Sequence, residues 1–148
     1  MGCFMRVVAI DVGRRRIGLA ISDTSGMLAR PLSALTVRGD ADAVERVARE
    51  VARLASEEDG VAAIVVGLPV RLDGSPNAQT AHVAAFIEAL KTRTSLPIVT
   101  EDERLTSREA ESRLAVRKRD WRVRKTKLDA ASAAIVLQDY LDRHATKT

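Results

Sequence analysis

Asp11, Glu103 and Asp129 are the residues of this chain best suited to joint chemistry. Each is expected at the end of a core element, with positive charge close by. Asp11 follows a strand expected over 5–10, Glu103 follows one expected over 97–100, and Asp129 opens the last helix. Carboxylates brought together from distant segments repel one another unless a divalent cation holds them. A basic chain that assembled such a cluster would be suited to metal-assisted attack on a phosphodiester.

Each acid also has a plainer reading. Asp11 precedes Gly13 and could simply bond nearby amides in a turn. The adjacent Arg14, Arg15 and Arg16 favour an anionic ligand, because a turn alone does not need three guanidinium groups. Asp102 and Glu103 leave the fifth strand at its C-terminal end, where open α/β sheets commonly bind ligands. Successive strand side chains point to opposite faces, so both cannot aim at one site if the strand runs through them. Glu103 is the preferred ligand, with Asp102 or Glu101 as alternatives, and Arg104 is a candidate phosphate clamp or the ion-pair partner of a neighbouring carboxylate. Asp129 in a first helical turn would be kept ionised by the helix dipole, although ordinary capping would place an aspartate there too.

These acids need elements to position them. The run Arg6-Val7-Val8-Ala9-Ile10 reads as a strand buried on both faces. A short turn over 12–16 leads to a second strand at 17–22, which must pair antiparallel with the first. A third strand is expected at 32–37, after a break at Pro31. Val44, Val47, Val51 and Leu54 recur at the helical period, predicting a helix from 39–40 to 55. A buried strand follows at 61–66, ended by Gly67-Leu68-Pro69, then a loop at 72–77. The next helix is expected over 78–92, burying Ala81, Ala85, Phe86, Ala89 and Leu90. After the fifth strand, Thr106-Ser107-Arg108-Glu109 has the form of a capping box for a short helix to about 114. A final helix capped by 126–129 would reach 143. This order predicts one α/β domain over 1–148 with a mixed sheet.

At 148 residues and 46% hydrophobic composition the chain can bury a core without disulfides. Cys3 is the lone cysteine, which suits a reducing cytoplasm. No apolar run approaches bilayer length, there is no signal-peptide layout, and Arg6 stands where a myristoylation motif wants Ser or Thr. No membrane partner is therefore expected. The formal charge is +4, but from Arg113 to Lys127 there are eight basic residues against one acid. Arg122, Arg124, Lys125 and Lys127 in that run, with Arg14, Arg15, Arg16 and Arg104, are candidate contacts to a nucleic-acid backbone. Trp121 among them could stack on a base. With only His82 and His144, zinc chemistry and histidine bases lack material, and there is no P-loop or dinucleotide fingerprint.

Several motifs, in order, resemble the YqgF family of bacterial RNase H-like proteins, known as pre-16S rRNA nucleases and as Holliday junction resolvase-like proteins. They are Ile10-Asp11-Val12-Gly13, Arg16-Ile17-Gly18-Leu19-Ala20, Val66-Gly67-Leu68-Pro69, Asp73-Gly74-Ser75, Asp102-Glu103-Arg104-Leu105-Thr106 and Leu128-Asp129-Ala130-Ala131-Ser132. The resemblance spans nearly the whole chain. It implies an RNase H-like fold with a central five-stranded mixed sheet and an acidic metal site that maps onto Asp11, Glu103 and Asp129. The expectation is a hydrolase of phosphodiester bonds using one or two Mg²⁺ or Mn²⁺ ions, acting on structured nucleic acid. Its substrate would be an rRNA precursor or, alternatively, branched DNA, and the protein a monomer or homodimer. Two other classes compete: an ATP-binding phosphotransferase sharing the Asp-x-Gly strand end, for whose second lobe there is no room, and a nucleic-acid-binding module with a dead site.

Overall fold

Val8, Ile10 and Val12 alternate with Val7, Ala9 and Asp11, so the first strand presents apolar side chains to both sides of a sheet. A computed structural model describes residues 5–69, 75–102 and 121–145, the side chains of 121–129 and 145 excepted. The described elements, in chain order, are β1 (Arg6–Val12), β2 (Arg16–Ser22), β3 (Ala29–Thr36), α1 (Asp40–Ala55), β4 (Val61–Leu68), α2 (Ala78–Lys91), β5 (Ile98–Asp102) and α3 (Trp121–Ala145). The strands form one five-stranded sheet in the order β3-β2-β1-β4-β5. β1 and β2, and β2 and β3, pair antiparallel, whereas β4 is parallel to both β1 and β5.

Two apolar layers sandwich this sheet. On one side Val8, Ile10, Leu19, Ile64 and Val66 pack against Val47 and Val51 of α1 and Phe86 and Leu90 of α2. On the other, Ala9, Ala20 and Val65 meet Ala133, Val136 and Leu137 of α3. Alanine on both surfaces of the second layer lets α3 lie close to the sheet, and it touches all five strands. Gln138 of α3 ties down the start of β3, accepting from Ala29 N at 2.9 Å and donating to Met27 O at 2.9 Å.

A buried cation fixes the far end of β1. Arg6 is 9% exposed and donates from Nε to Gly60 O and from Nη2 to Leu54 O, both at 3.1 Å, while Nη2 also meets Glu57 Oε1 at 2.9 Å. It thereby ties the start of β1 to the last turn of α1 and to the residue before β4.

Several element boundaries differ from the sequence expectation. β3 begins at Ala29 and runs through Pro31, which pairs with Ala20 at a register shift. Pro31 is tolerated because β3 is an edge strand, where a missing N–H breaks no second ladder. β4 continues through Gly67 and Leu68, and β5 extends past Thr100 to include Asp102. α2 buries Val83, Phe86, Ile87 and Leu90, leaving Ala81 and Ala85 exposed. With alanines on every side the periodicity is weak, and the larger Val83 and Ile87 set the buried face. α3 is already helical before position 126, over the stretch Trp121–Lys127. Arg and Lys are good helix formers, so a run of positive charge does not interrupt a helix. The short helix expected at 106–114 lies outside the described residues.

Candidate functional site

The sequence Asp11-Val12-Gly13-Arg14-Arg15-Arg16 crosses from β1 to β2 in a tight hairpin. Gly13 N donates to Arg16 O at 2.9 Å, and a Cβ on residue 13 would sit 2.5 Å from that oxygen. Only glycine permits this approach. Arg14 and Arg15 are exposed at the tip, and Arg15 O accepts from Val37 N at 2.8 Å, which anchors the turn to the end of β3. Asp11 is the penultimate residue of β1 and not, as expected, a residue after the strand.

Register and alternation decide what shares a face with Asp11. Its partner across β2 is Gly18. Ile17, Leu19 and Ile21 belong to the α1/α2 layer, so Arg16, Gly18 and Ala20 face α3 along with Ala9 and Asp11. Arg16 is half-buried and lies on the diagonal from Asp11. On the opposite flank, Ile10 pairs with Val66, so Gly67 is next at the level of Asp11, and Gly67 pairs with Glu101. The row therefore reads Gly18, Asp11, Gly67, Glu101. Two strand spacings, about 9.5–10 Å, separate the backbones of the two acids. The glycines beside Asp11 put no side chain on this face, which leaves its carboxylate bordered by open backbone.

Glu101 was an alternative to Glu103 in the sequence. It is 4% exposed and its Oε2 stands 2.8 Å from Arg143 Nη1 of α3. Among the described residues Oε2 meets no aligned hydrogen-bond donor, so charge and proximity hold the pair. Burial pushes the Glu101 carboxyl above its usual range, opposed by Arg143, and the nearby carboxylate of Asp139 pushes it further up. Asp102 pairs with Leu68 and follows the parity of Ile98, which packs on the α1/α2 layer, so it stands on the face away from Asp11.

Asp129 lies about two turns inside α3, not in its first turn. The expected dipole effect on its carboxyl therefore falls away, because that effect is confined to the first turn. Its side chain lies outside the described residues, as do Glu103 and Arg104 and the side chains of Arg122, Arg124, Lys125 and Lys127. Among the described residues no three His, Cys, Asp or Glu side chains gather as metal ligands. The donors proposed for a cation are nonetheless all carboxylate oxygens, the donor set that Mg²⁺ and Mn²⁺ take.

The start of α2 is tied to the end of β1 and to the residue after β4. Asn77 and Thr80 form a capping box, with Asn77 Oδ1 accepting from Thr80 N at 2.9 Å and Thr80 Oγ1 accepting from Asn77 N at 2.9 Å. Thr80 Oγ1 also donates to Pro69 O, and Gln79 Nε2 donates to Val12 O at 3.1 Å. Gln79 was not anticipated, since nothing local marks a helical glutamine as the link to β1.

Residues 5–143 match the family described as RuvX, Holliday junction resolvase. The chain belongs to that family. It is the YqgF family whose motifs the sequence carries. A family member from Anaeromyxobacter sp. (strain Fw109-5), named "Putative pre-16S rRNA nuclease", is 43% identical over 143 residues, covering 95% of this chain and all of the relative. One of the same name from Chloroflexus aggregans (strain MD-66 / DSM 9485) is 40% identical, covering 92% of each chain. Among solved structures, T. thermophilus RuvC in complex with Holliday junction substrate superposes with a TM-score of 0.54 at 17% identity, over 96% of this chain and 97% of that one. Thermus thermophilus RuvC gives 0.52 at 16% identity, over 96% and 98%. The fold is accordingly RNase H-like, a five-stranded mixed sheet with flanking helices. No described helix is long and apolar enough to cross a membrane.

Proposed function

We propose that this protein is a metal-dependent nuclease that hydrolyses phosphodiester bonds in structured nucleic acid, with the 5′ end of pre-16S rRNA as its substrate. Asp11 carries the reading: it stands at the end of the central strand, between Gly18 and the level of Gly67, beside the Arg14–Arg16 turn. A carboxylate in a row with glycines leaves room for a phosphate, and the arginines supply counter-charge.

Asp11, Glu103 and Asp129 would hold one or two Mg²⁺ or Mn²⁺ ions. The parity of β5 counts against Asp102, which stands on the face away from Asp11, and so favours Glu103 as the middle ligand. The helical period supports Asp129, whose position precedes buried Ala133 by one turn and Val136 by two on the sheet-facing stripe. When bound, such ions supply activation of the attacking water and stabilisation of the leaving oxygen. Arg14, Arg15 and Arg16, with Arg104, Arg122, Arg124, Lys125 and Lys127, would grip the phosphates on either side and set the scissile bond over Asp11. The protein would act in the cytoplasm as a monomer or homodimer.

The family description supports a second substrate, a four-way DNA junction. Symmetric resolution cuts two strands and so calls for a dimer. The deciding test incubates the protein with labelled rRNA precursor and with synthetic four-way junctions, each with Mn²⁺ and with chelator. Mn²⁺-dependent 5′ trimming of the precursor is expected. Cleavage of the junction alone, by a protein that elutes as a dimer, would establish the second reading instead. Absence of cleavage on both would leave a nucleic-acid-binding module.

A further inference from the structure

We propose that the Glu101–Arg143 ion pair is a positioning device that sets how α3, which carries Asp129, lies against β5, which leads into Glu103; it rests on the nuclease reading above. Glu101 is almost wholly buried, yet Arg143 is 61% exposed and reaches inward from the last turns of α3 to meet it at 2.8 Å. A charge taken out of water this completely is costly unless an opposite charge compensates it. Here the compensating charge comes from the helix that carries Asp129, and the buried charge sits on β5, two residues before Glu103 in sequence.

The described apolar contacts between α3 and the sheet give no such directional hold. The described core of that layer is aliphatic, with Ala9, Ala20 and Val65 against Ala133, Val136 and Leu137, and such packing tolerates small sliding. Gln138 fixes α3 to the beginning of β3, at the other edge of the sheet. The ion pair fixes it to β5. Between these two attachments the tilt of α3 across the sheet is set, and with it the approach of position 129. Neither Glu101 nor Arg143 needs to touch substrate or metal; each acts through Glu103 and Asp129.

The test uses the full-length protein and four forms: wild type, Arg143→Lys, Arg143→Met and the double variant Glu101→Gln/Arg143→Met. The double variant removes both charges and so avoids the uncompensated buried Glu101 that Arg143→Met alone leaves. Mn²⁺ affinity is read by titration calorimetry, with kcat, KM for nucleic acid and Tm alongside. A positioning role lowers Mn²⁺ affinity and kcat by about 10–100-fold in the double variant, as for other groups that orient metal ligands, with KM unchanged. Arg143→Lys should restore most of both. If the double variant binds Mn²⁺ and turns over like wild type, whatever its Tm, the inference is wrong and the nuclease reading stands. A wild type that neither binds Mn²⁺ nor cleaves would sink the nuclease reading, and this inference with it.

Discussion

Glu101 and Asp102 are neighbours in sequence and stand on opposite faces of the sheet. Glu101 pairs with Gly67 in the row that holds Asp11, whereas Asp102 pairs with Leu68 and follows the α1/α2 layer. The alternation of side chains along β5 thus separates two acids that the sequence lists side by side. It also predicts that Asp102→Asn leaves cleavage within about threefold of wild type, whereas Glu103→Gln lowers it at least about 100-fold, beyond the usual effect of a group that merely supports a ligand. Equal losses in single-turnover assays would remove Asp102 from the far face.

Asp11→Asn tests the centre of the site. The amide keeps the size of the side chain but loses the charge that draws a cation. Cleavage is expected to fall at least about 100-fold while nucleic-acid affinity in a gel-shift assay stays near wild type. Retention of full activity would rule out the mechanism.

Arg14 and Arg15 are exposed at the hairpin tip, so the Arg14→Ala/Arg15→Ala variant should fold normally. If each grips a phosphate, the slope of log affinity against log salt becomes shallower by about 0.7–0.9 per arginine. An unchanged slope would show that the tip does not contact the backbone.

Gly13→Ala puts a Cβ 2.5 Å from Arg16 O, too close for any side chain to remain without backbone movement. A stability loss of about 1–3 kcal/mol is expected in urea unfolding, from strain stored in the turn. A variant as stable as wild type would mean that the turn relaxes freely, and the geometry of Arg14 to Arg16 with it.

The β2–β3 turn carries a pH signature. Asp23 accepts from Ser25 Oγ at 2.8 Å and from Met27 N at 3.0 Å, and these bonds, the Ser25 contribution foremost, hold its carboxyl below the ordinary value of 3.8. A depressed folded-state value means stability that is present above 3.8 and lost as pH falls through the lower folded value. Thermal melts of Asp23→Asn and wild type should therefore differ near neutrality and converge in acid. Curves that stay parallel down to the acid transition would contradict this.

Elements whose signal is local were legible without coordinates. The continuous apolar run of β1, the regular stripe of α1 and the Gly13 turn each follow from adjacent residues, and so did the candidacy of Asp11. Pro31 and the basic run before Leu128 misled for a shared reason. A proline breaks a strand only where two neighbours need its N–H, and a charged run leaves a helix only where nothing carries the helix through it. Both conditions depend on surroundings that a linear pattern does not contain.

The amino-acid order alone thus determined the α/β class, the family motifs and which acids were chemically eligible. Tertiary structure decided which of them share a face, because sheet register, unlike periodicity, is set by strands far apart in the chain. It also supplied the Glu101–Arg143 pair, which forms only because burial makes an isolated carboxylate too costly and α3 ends where it can answer that charge.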